Sequence, residues 1–275
     1  MKIAALQMVS GPDVARNLEV AWRLAREASR GGAQLVALPE YFCHLGQGER
    51  AKLDIAETPG EGPIQHMLAS VARELGVWVI GGTLPIRSSD PDRVRNANCV
   101  YAPDGSLAAR YDKIHLFRYD NGRESYDEGR VIEAGDTPCS VQAGALRVGL
   151  SVCYDLRFPE LYRRLAFEAQ GAPCDLLSVP SAFTHTTGSA HWAILLRARA
   201  IENQCYVIAP AQGGVHANGR RTFGHSMVVD PWGEVLAVLP EGEGVVLAEV
   251  DPARIASVRA QLPALEHRRV NCRND

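Results

Sequence analysis

A thiol, a carboxylate and an ammonium, each standing where an apolar run ends, are the groups in this chain best suited to covalent chemistry. The run LRVGLSV (146–152) has the composition of a central strand and stops at Cys153-Tyr154-Asp155, followed by Arg157, Pro159 and a helix. That places the thiol at the carboxyl end of a strand, in the crevice where open α/β sheets bind ligands. LVALPE (35–40) ends in the same way at Glu40, where a carboxylate serves either as a cap or as a partly buried base. Lys113 closes RYDK after the Asp104-Gly105 turn, and among 29 basic residues only Lys2, Lys52 and Lys113 are lysines. A compact ammonium there can hold an oxyanion and lower the pKa of a neighbouring thiol. Base, cation and thiol together suit nucleophilic attack on an amide carbon. Taken alone, Cys153 also reads as an inert small hydrophobe of a buried strand, and spacing does not bring the three groups together.

Other chemistries lack their signatures. The chain has no GxxxxGK[ST], HExxH or GxSxG, and no GxGxxG opening a helix. His115, His191 and His225 have no partner at i,i+4 and no CxxC nearby, so histidines hydrogen-bonded in or near the core are expected rather than a metal site.

The elements that must position the three groups alternate along the chain. KIAALQM (2–8), LVALPE and VWVIGG (77–82) read as strands, separated by helical periodicity over 16–30 and again through Ile64, Leu68, Val71 and Leu75. Around Asp104-Gly105, NCVYAP and LAARYDK read as a hairpin, which makes the sheet mixed. The second half repeats the alternation: strand 146–152, helix from about 159 to 170, strand 175–181, helix from about 190 to 203, strand 205–212. Strands near 226–230, 234–239 and 245–250 follow, then a short helix opened by Asp251-Pro252. With no linker or charge block between the halves, residues 1–275 read as a single α/β domain, a small sheet-on-sheet core between two helical layers.

Three segments then carry a resemblance. LPEYF around Glu40, YDKIHLF around Lys113 and SVCYDLRFPE around Cys153 resemble, in order, the three catalytic motifs of the nitrilase (carbon–nitrogen hydrolase) superfamily. PSAFTHTTGSAHW, LLRARAIENQCYV and GHSMVVDPWGEV extend the likeness over nearly the whole chain and resemble the Nit branch, above all its deaminated-glutathione amidases. The resemblance implies an α-β-β-α four-layer sandwich with mixed sheets. It implies Glu40 as general base, Lys113 as oxyanion stabiliser with the Tyr154 backbone N–H, Cys153 as nucleophile, and a second glutamate that positions the lysine. Glu128 fits the family spacing for that glutamate, with Glu124 as the nearby alternative. Arg157, Phe183 and Thr187 are implied to hold an α-keto acid end of the substrate. On the residues alone, they are equally a surface ion pair, a core aromatic and a turn residue.

The activity implied is hydrolysis of a linear amide through a cysteine thioester, on deaminated glutathione or, as the alternative, as an ω-amidase on α-ketoglutaramate or α-ketosuccinamate. No metal or organic cofactor is expected, and a homodimer or higher homo-oligomer is. Composition sets further bounds. With 46% hydrophobic and 22% charged residues, the 275-residue chain has globular composition. Its net charge of −3 is spread over interspersed signs and offers no field for nucleic acid or anionic lipid. MKIAALQMVSGPD lacks the apolar run and cleavage site of an export signal, and no apolar stretch is long enough to span a bilayer. Seven cysteines without a CxxC pair read as free thiols. A soluble cytoplasmic protein is expected.

Overall fold

Side-chain alternation along β1 (Lys2–Gln7) sets the layering, because successive strand residues face opposite sides of a sheet. Ile3 and Ala5 join a buried cluster with Leu35, Ala37 and Ile80, while Ala4 and Leu6 join another with Val36, Leu38 and Val79. In the second cluster lie Val20, Leu24 and Ala28 of α1 (Val14–Arg30) and Ile64, Leu68 and Val71 of α3 (Pro63–Leu75). The Asp13 side chain starts α1 by accepting from the Arg16 N–H, and Gly76, in the left-handed conformation, ends α3. The computed structural model of the chain describes residues 1–270, apart from 47, 49, 121, 123, 124 and 168–171.

The first sheet has β1, β2 (Leu35–Ala37) and β3 (Trp78–Ile80) parallel at its centre. β4 (Leu84–Arg87), β5 (Val94–Tyr101), β6 (Leu107–Asp112) and β17 (Gly244–Glu249) add to it antiparallel, in the order β17-β1-β2-β3-β5-β4 with β6 also on β5. The Asp104-Gly105 turn thus joins β5 to β6, as the hairpin signal requires. The second sheet runs β16-β15-β12-β11-β10-β9. There β10 (Leu146–Leu150), β11 (Leu176–Ser178) and β12 (Tyr206–Ala209) are parallel, and β9 (Cys139–Ala143), β15 (Ser226–Val229) and β16 (Val235–Leu239) antiparallel.

The sheets meet face to face, β1 against β12 and β15 and β6 against β9. On the far side of the second sheet lie α4 (Pro159–Phe167) and α5 (His185–Asn203). Gly149 lets α4 approach, since a Cβ there would meet Leu165 Cδ1 at 3.2 Å and Leu177 Cδ2 at 2.9 Å. The result is an α-β-β-α sandwich with mixed sheets.

Some elements differ from expectation. α5 begins at His185, not near 190, because Thr184 caps it through the Thr187 N–H although HTTGSA shows no apolar period. The final residues of the expected 159–170 helix, 168–170, lie outside the described residues, as does Cys272. The short helices and strands α2 (Ala51–Asp54), β7 (Arg118–Asp120), β8 (Ser125–Asp127), β13 (Gly213–Val215) and β14 (Arg221–Phe223) carry no periodic signal. α6 (Pro252–Gln261) starts at Asp251-Pro252 as read. The six described cysteines are free thiols.

Candidate active site

Glu40 stands just past β2, 1% exposed, and its carboxylate is gripped by donors from three directions. Oε1 accepts from Lys113 Nζ at 2.9 Å and from Asn96 Nδ2 of β5 at 3.1 Å, and Oε2 accepts from the Ala182 N–H at 3.1 Å. The backbone turns sharply here: Tyr41 has φ +56° and donates its N–H to Thr83 Oγ1. A Cβ on Gly82, itself at φ +57°, would fall on the Pro39 carbonyl oxygen, so only glycine lets the two loops cross under Glu40. Gln212 Nε2 donates to the Glu40 carbonyl from beyond β12, tying this loop to the second sheet.

Lys113 follows β6 directly and is fully buried. Besides Glu40, its ammonium donates to Glu128 at 3.0 Å (Oε1) and 2.8 Å (Oε2). Glu128 also accepts from the Tyr41 hydroxyl at 2.6 Å and the Phe117 N–H at 2.7 Å. Burial alone would discharge the ammonium, but the carboxylates of Glu128 and Glu40 outweigh it and hold the Lys113 pKa above its ordinary value. For Glu128, burial works upward, yet Lys113 and the hydrogen bonds from Phe117 and Tyr41 keep the carboxyl below the usual range. Of the two glutamates named in the sequence reading, Glu128 lies against the Lys113 ammonium, and Glu124 lies outside the described residues.

Cys153 opens a tight 3-10 turn (Cys153–Arg157) after β10, with φ +49° and its N–H on the Pro180 carbonyl at 2.9 Å. A non-glycine residue in that region is strained and persists only where its surroundings over-determine it. Buried Asp155 supplies that constraint: it accepts from the Val152 N–H (2.8 Å), the Tyr111 hydroxyl (2.7 Å), the His115 N–H (3.0 Å) and His115 Nδ1 (2.7 Å). One carboxylate thereby locks the Cys153 turn to the segment that carries Lys113. Burial, then the Glu40 charge, push the Cys153 thiol above its ordinary pKa, and Lys113 and the Ala182 N–H only partly offset them. The resting group is a thiol beside a carboxylate.

A narrow cavity of about 310 Å³ opens over these groups, lined by Glu40, Glu128, Cys153, Tyr154, Arg157, Phe183 and Thr187 together with Tyr41, Phe117, Ala182, Thr184 and Arg220. Of the site residues read from the sequence, Glu40, Glu128, Cys153, Tyr154, Arg157, Phe183 and Thr187 lie on this wall, and Lys113 lies behind it bonded to both glutamates. Arg157 is no isolated surface cation: its guanidinium sits 5.3 Å from the Phe183 ring and 5.8 Å from that of Tyr154, and Nη1 is 3.2 Å from His191 Nδ1. Phe183 packs on Trp192, and Thr187 Oγ1 meets Thr184 Oγ1 at 2.9 Å. Sequence reasoning missed Tyr41, Asn96, Phe117, Asp155, Ala182 and Arg220. Tyr41, Phe117 and Asp155 had adjacency to the motifs as a signal. Arg220 had none, since the β13–β14 hairpin delivers it.

Such an arrangement can pass a thiol proton to a carboxylate and offer an ammonium to a developing oxyanion. The chain is similar to known proteins in sequence and in fold. The carbon-nitrogen hydrolase family matches residues 2–260. A deaminated glutathione amidase of Synechocystis sp. (strain PCC 6803 / GT-S) is 44% identical over 269 residues, covering 96% of this chain and 97% of the relative. The Homo sapiens deaminated glutathione amidase is 40% identical over 278 residues, covering 97% of this chain and 82% of the relative. The crystal structure of the C. elegans NitFhit protein superposes with a TM-score of 0.90 at 38% identity. It covers 98% of this chain, which spans only 65% of that longer protein.

Proposed function

Because the chain belongs to the carbon-nitrogen hydrolase family, we propose that this amide hydrolase cleaves deaminated glutathione to α-ketoglutarate and Cys-Gly, with Glu40, Lys113 and Cys153 as its catalytic residues. The observation that carries the reading is Lys113, buried and bonded to both Glu40 and Glu128 behind the cavity that exposes Cys153. Glu40 takes the Sγ proton as the sulfur attacks the amide carbon. The negative charge on the carbonyl oxygen meets the Lys113 ammonium and the Tyr154 N–H. Glu40 returns the proton to the leaving nitrogen, the C–N bond breaks, and a thioester remains on Cys153. Water, deprotonated by Glu40, then attacks the same carbon; the C–S bond breaks and the proton returns to sulfur. Glu128 keeps the ammonium charged and aimed. Every proton and electron pair in this cycle is handled by the residues named.

Arg157, with Phe183 and Thr187, is proposed to hold the α-keto carboxylate, for which a guanidinium offers two parallel hydrogen bonds. Amide relatives named for deaminated glutathione support that substrate. Comparing kcat/KM on deaminated glutathione and α-ketoglutaramate tests it: at least a ~10-fold preference for the former, about 1.4 kcal/mol, is expected. Preference for the small keto amide makes the enzyme an ω-amidase instead.

A homo-oligomer and a cytoplasmic setting complete the proposal. Ile194, Ile201 and Trp232 are exposed apolar side chains around α5, where the Trp232-Gly233 turn lies against Ile201, and such a patch favours self-association. No helix among the described residues is long and apolar enough to cross a membrane, and the described thiols are free.

A further inference from the structure

The cavity over Cys153 adjoins a second, larger hollow with which it shares part of its wall. It is a narrow slot of about 310 Å³ over the thiol. Arg157, Phe183 and Thr187 belong to that slot alone. Tyr41, Phe117, Glu128 and Arg220 are shared with an adjoining, larger basin whose walls add His44, Lys52, Ser125, Tyr126 and Asn218. An amide whose acyl end lies toward Arg157 directs its leaving nitrogen through that shared wall. A dipeptide leaving group extends about 7 Å and projects its terminal carboxylate into the basin.

The chemistry of the basin suits an anion. Among the described residues its cations are Lys52 and Arg220. Burial lowers the His44 pKa. Among the described residues the lining acid is Glu128, already engaged by Lys113, the Tyr41 hydroxyl and the Phe117 N–H. Arg220 stands where slot and basin join. Its Nη2 donates to the Ala182 carbonyl at 2.8 Å and its guanidinium lies 5.0 Å from the Tyr126 ring, while buried Nε has no hydrogen-bond partner. Arg220 lines both cavities, so its guanidinium is the cation at their junction. The guanidinium is held ready by its hairpin: Asn218 Oδ1 accepts the Arg220 N–H at 3.0 Å, and Phe223 of β14 donates its N–H to Phe183 at 3.0 Å.

We propose that this basin is the leaving-amine subsite and that Arg220 binds a carboxylate carried on that amine, so that the enzyme selects amides with an anionic group at each end. The inference rests on the functional reading above for the acyl end and adds the opposite end. It distinguishes amides of amino acids or short peptides, which reach the basin, from primary amides, which release ammonia and leave it empty.

The test compares deaminated glutathione with its C-terminal carboxamide, identical but for the terminal charge, in wild type, Arg220→Gln and Arg220→Lys. Wild type is expected to favour the carboxylate by about 10-fold or more in kcat/KM, mainly through KM, the worth of one charge-assisted hydrogen bond. Arg220→Gln should erase the preference, and Arg220→Lys, which keeps charge without the fork, should retain part of it. Equal rates on both substrates in wild type, or an equal loss on both in Arg220→Gln, would overturn the proposal. Binding of Cys-Gly and its carboxamide to Cys153→Ala, followed by NMR titration, needs no turnover and separates the two readings. Tighter binding of the carboxylate that depends on Arg220 upholds the subsite even if the keto-acid reading fails, and indifference to the charge removes it.

Discussion

At the scale of single residues, the site is a set of charges that are tolerable only together. Lys113 is buried with two carboxylates, and a buried ion pair that loses one partner leaves an uncompensated charge. Lys113→Arg keeps the charge but cannot put a compact ammonium among Glu40, Glu128 and an oxyanion. It is expected to lower kcat by ~10² or more, and a near-wild-type rate would remove Lys113 from the mechanism. The raised thiol pKa yields a second expectation. Alkylation of Cys153 by iodoacetamide should inactivate the enzyme and should accelerate only as pH climbs past the ordinary thiol value of about 8.5. A rate already at its plateau at neutral pH would mean a resting thiolate. Stability also has a pH window set by these groups. The Glu128 pKa is lower in the folded chain than in the unfolded one, so its contribution is present above about pH 4.3 and is lost as pH falls through the folded value. The Lys113 pKa is higher when folded, so its contribution is full below about pH 10.4 and is lost as pH rises further. Cys99, pushed up to about 12, and Cys174, to about 11, act in the same alkaline direction from about pH 8.5. Urea midpoints measured from pH 3 to pH 11 should form a plateau that falls at both ends; a midpoint that still rises above pH 9 would contradict these shifts.

Among elements, strand ends and loops do the positioning, and here glycine and capping chemistry decide. Gly82→Ala forces a side chain onto the Pro39 carbonyl at positive φ. Gly242→Ala, also at positive φ (+82°), meets nothing within 4 Å. The second variant should cost about 1–2 kcal/mol, the backbone strain alone, whereas the first should cost more and also lower kcat by shifting Glu40. Equal destabilisation in denaturant melts would refute the crossing-loop role of Gly82. These elements also explain what the sequence revealed. Buried strands such as LRVGLSV and LVALPE announce themselves by apolar runs with abrupt polar ends, so Glu40, Lys113 and Cys153 could be read as strand-end residues. The start of α5 was hidden because its first turn is polar and rests on the Thr184 cap. The β13–β14 hairpin was hidden because its strands are only three residues long, β13 carries two glycines, and Phe223 of β14 bonds to the distant Phe183 carbonyl. With that hairpin went any sign of Arg220, whose place depends on tertiary contact rather than on pattern.

For the whole molecule, the site is a product of stacking two sheets. Glu40 and Lys113 come from the ends of the first, Cys153 and Ala182 from the ends of the second, and Asp155 and Gln212 bond across. That division explains why no local segment of sequence contains the site, while the ordered set of three motifs does. Asp155→Ala is expected to leave the Val152 and His115 donors unpaired, to lower stability by about 3 kcal/mol or more, and to reduce activity even where the protein remains folded. The central claim, that Cys153 carries the acyl group as a thioester, is tested most directly by rapid acid quenching during turnover of deaminated glutathione, followed by intact and peptide mass spectrometry. The expected result is an α-ketoglutaryl adduct on the peptide containing Cys153, present in wild type and absent from Cys153→Ala, which should be inactive. Hydrolysis by Cys153→Ala at an appreciable rate, or an adduct on another residue, would contradict it.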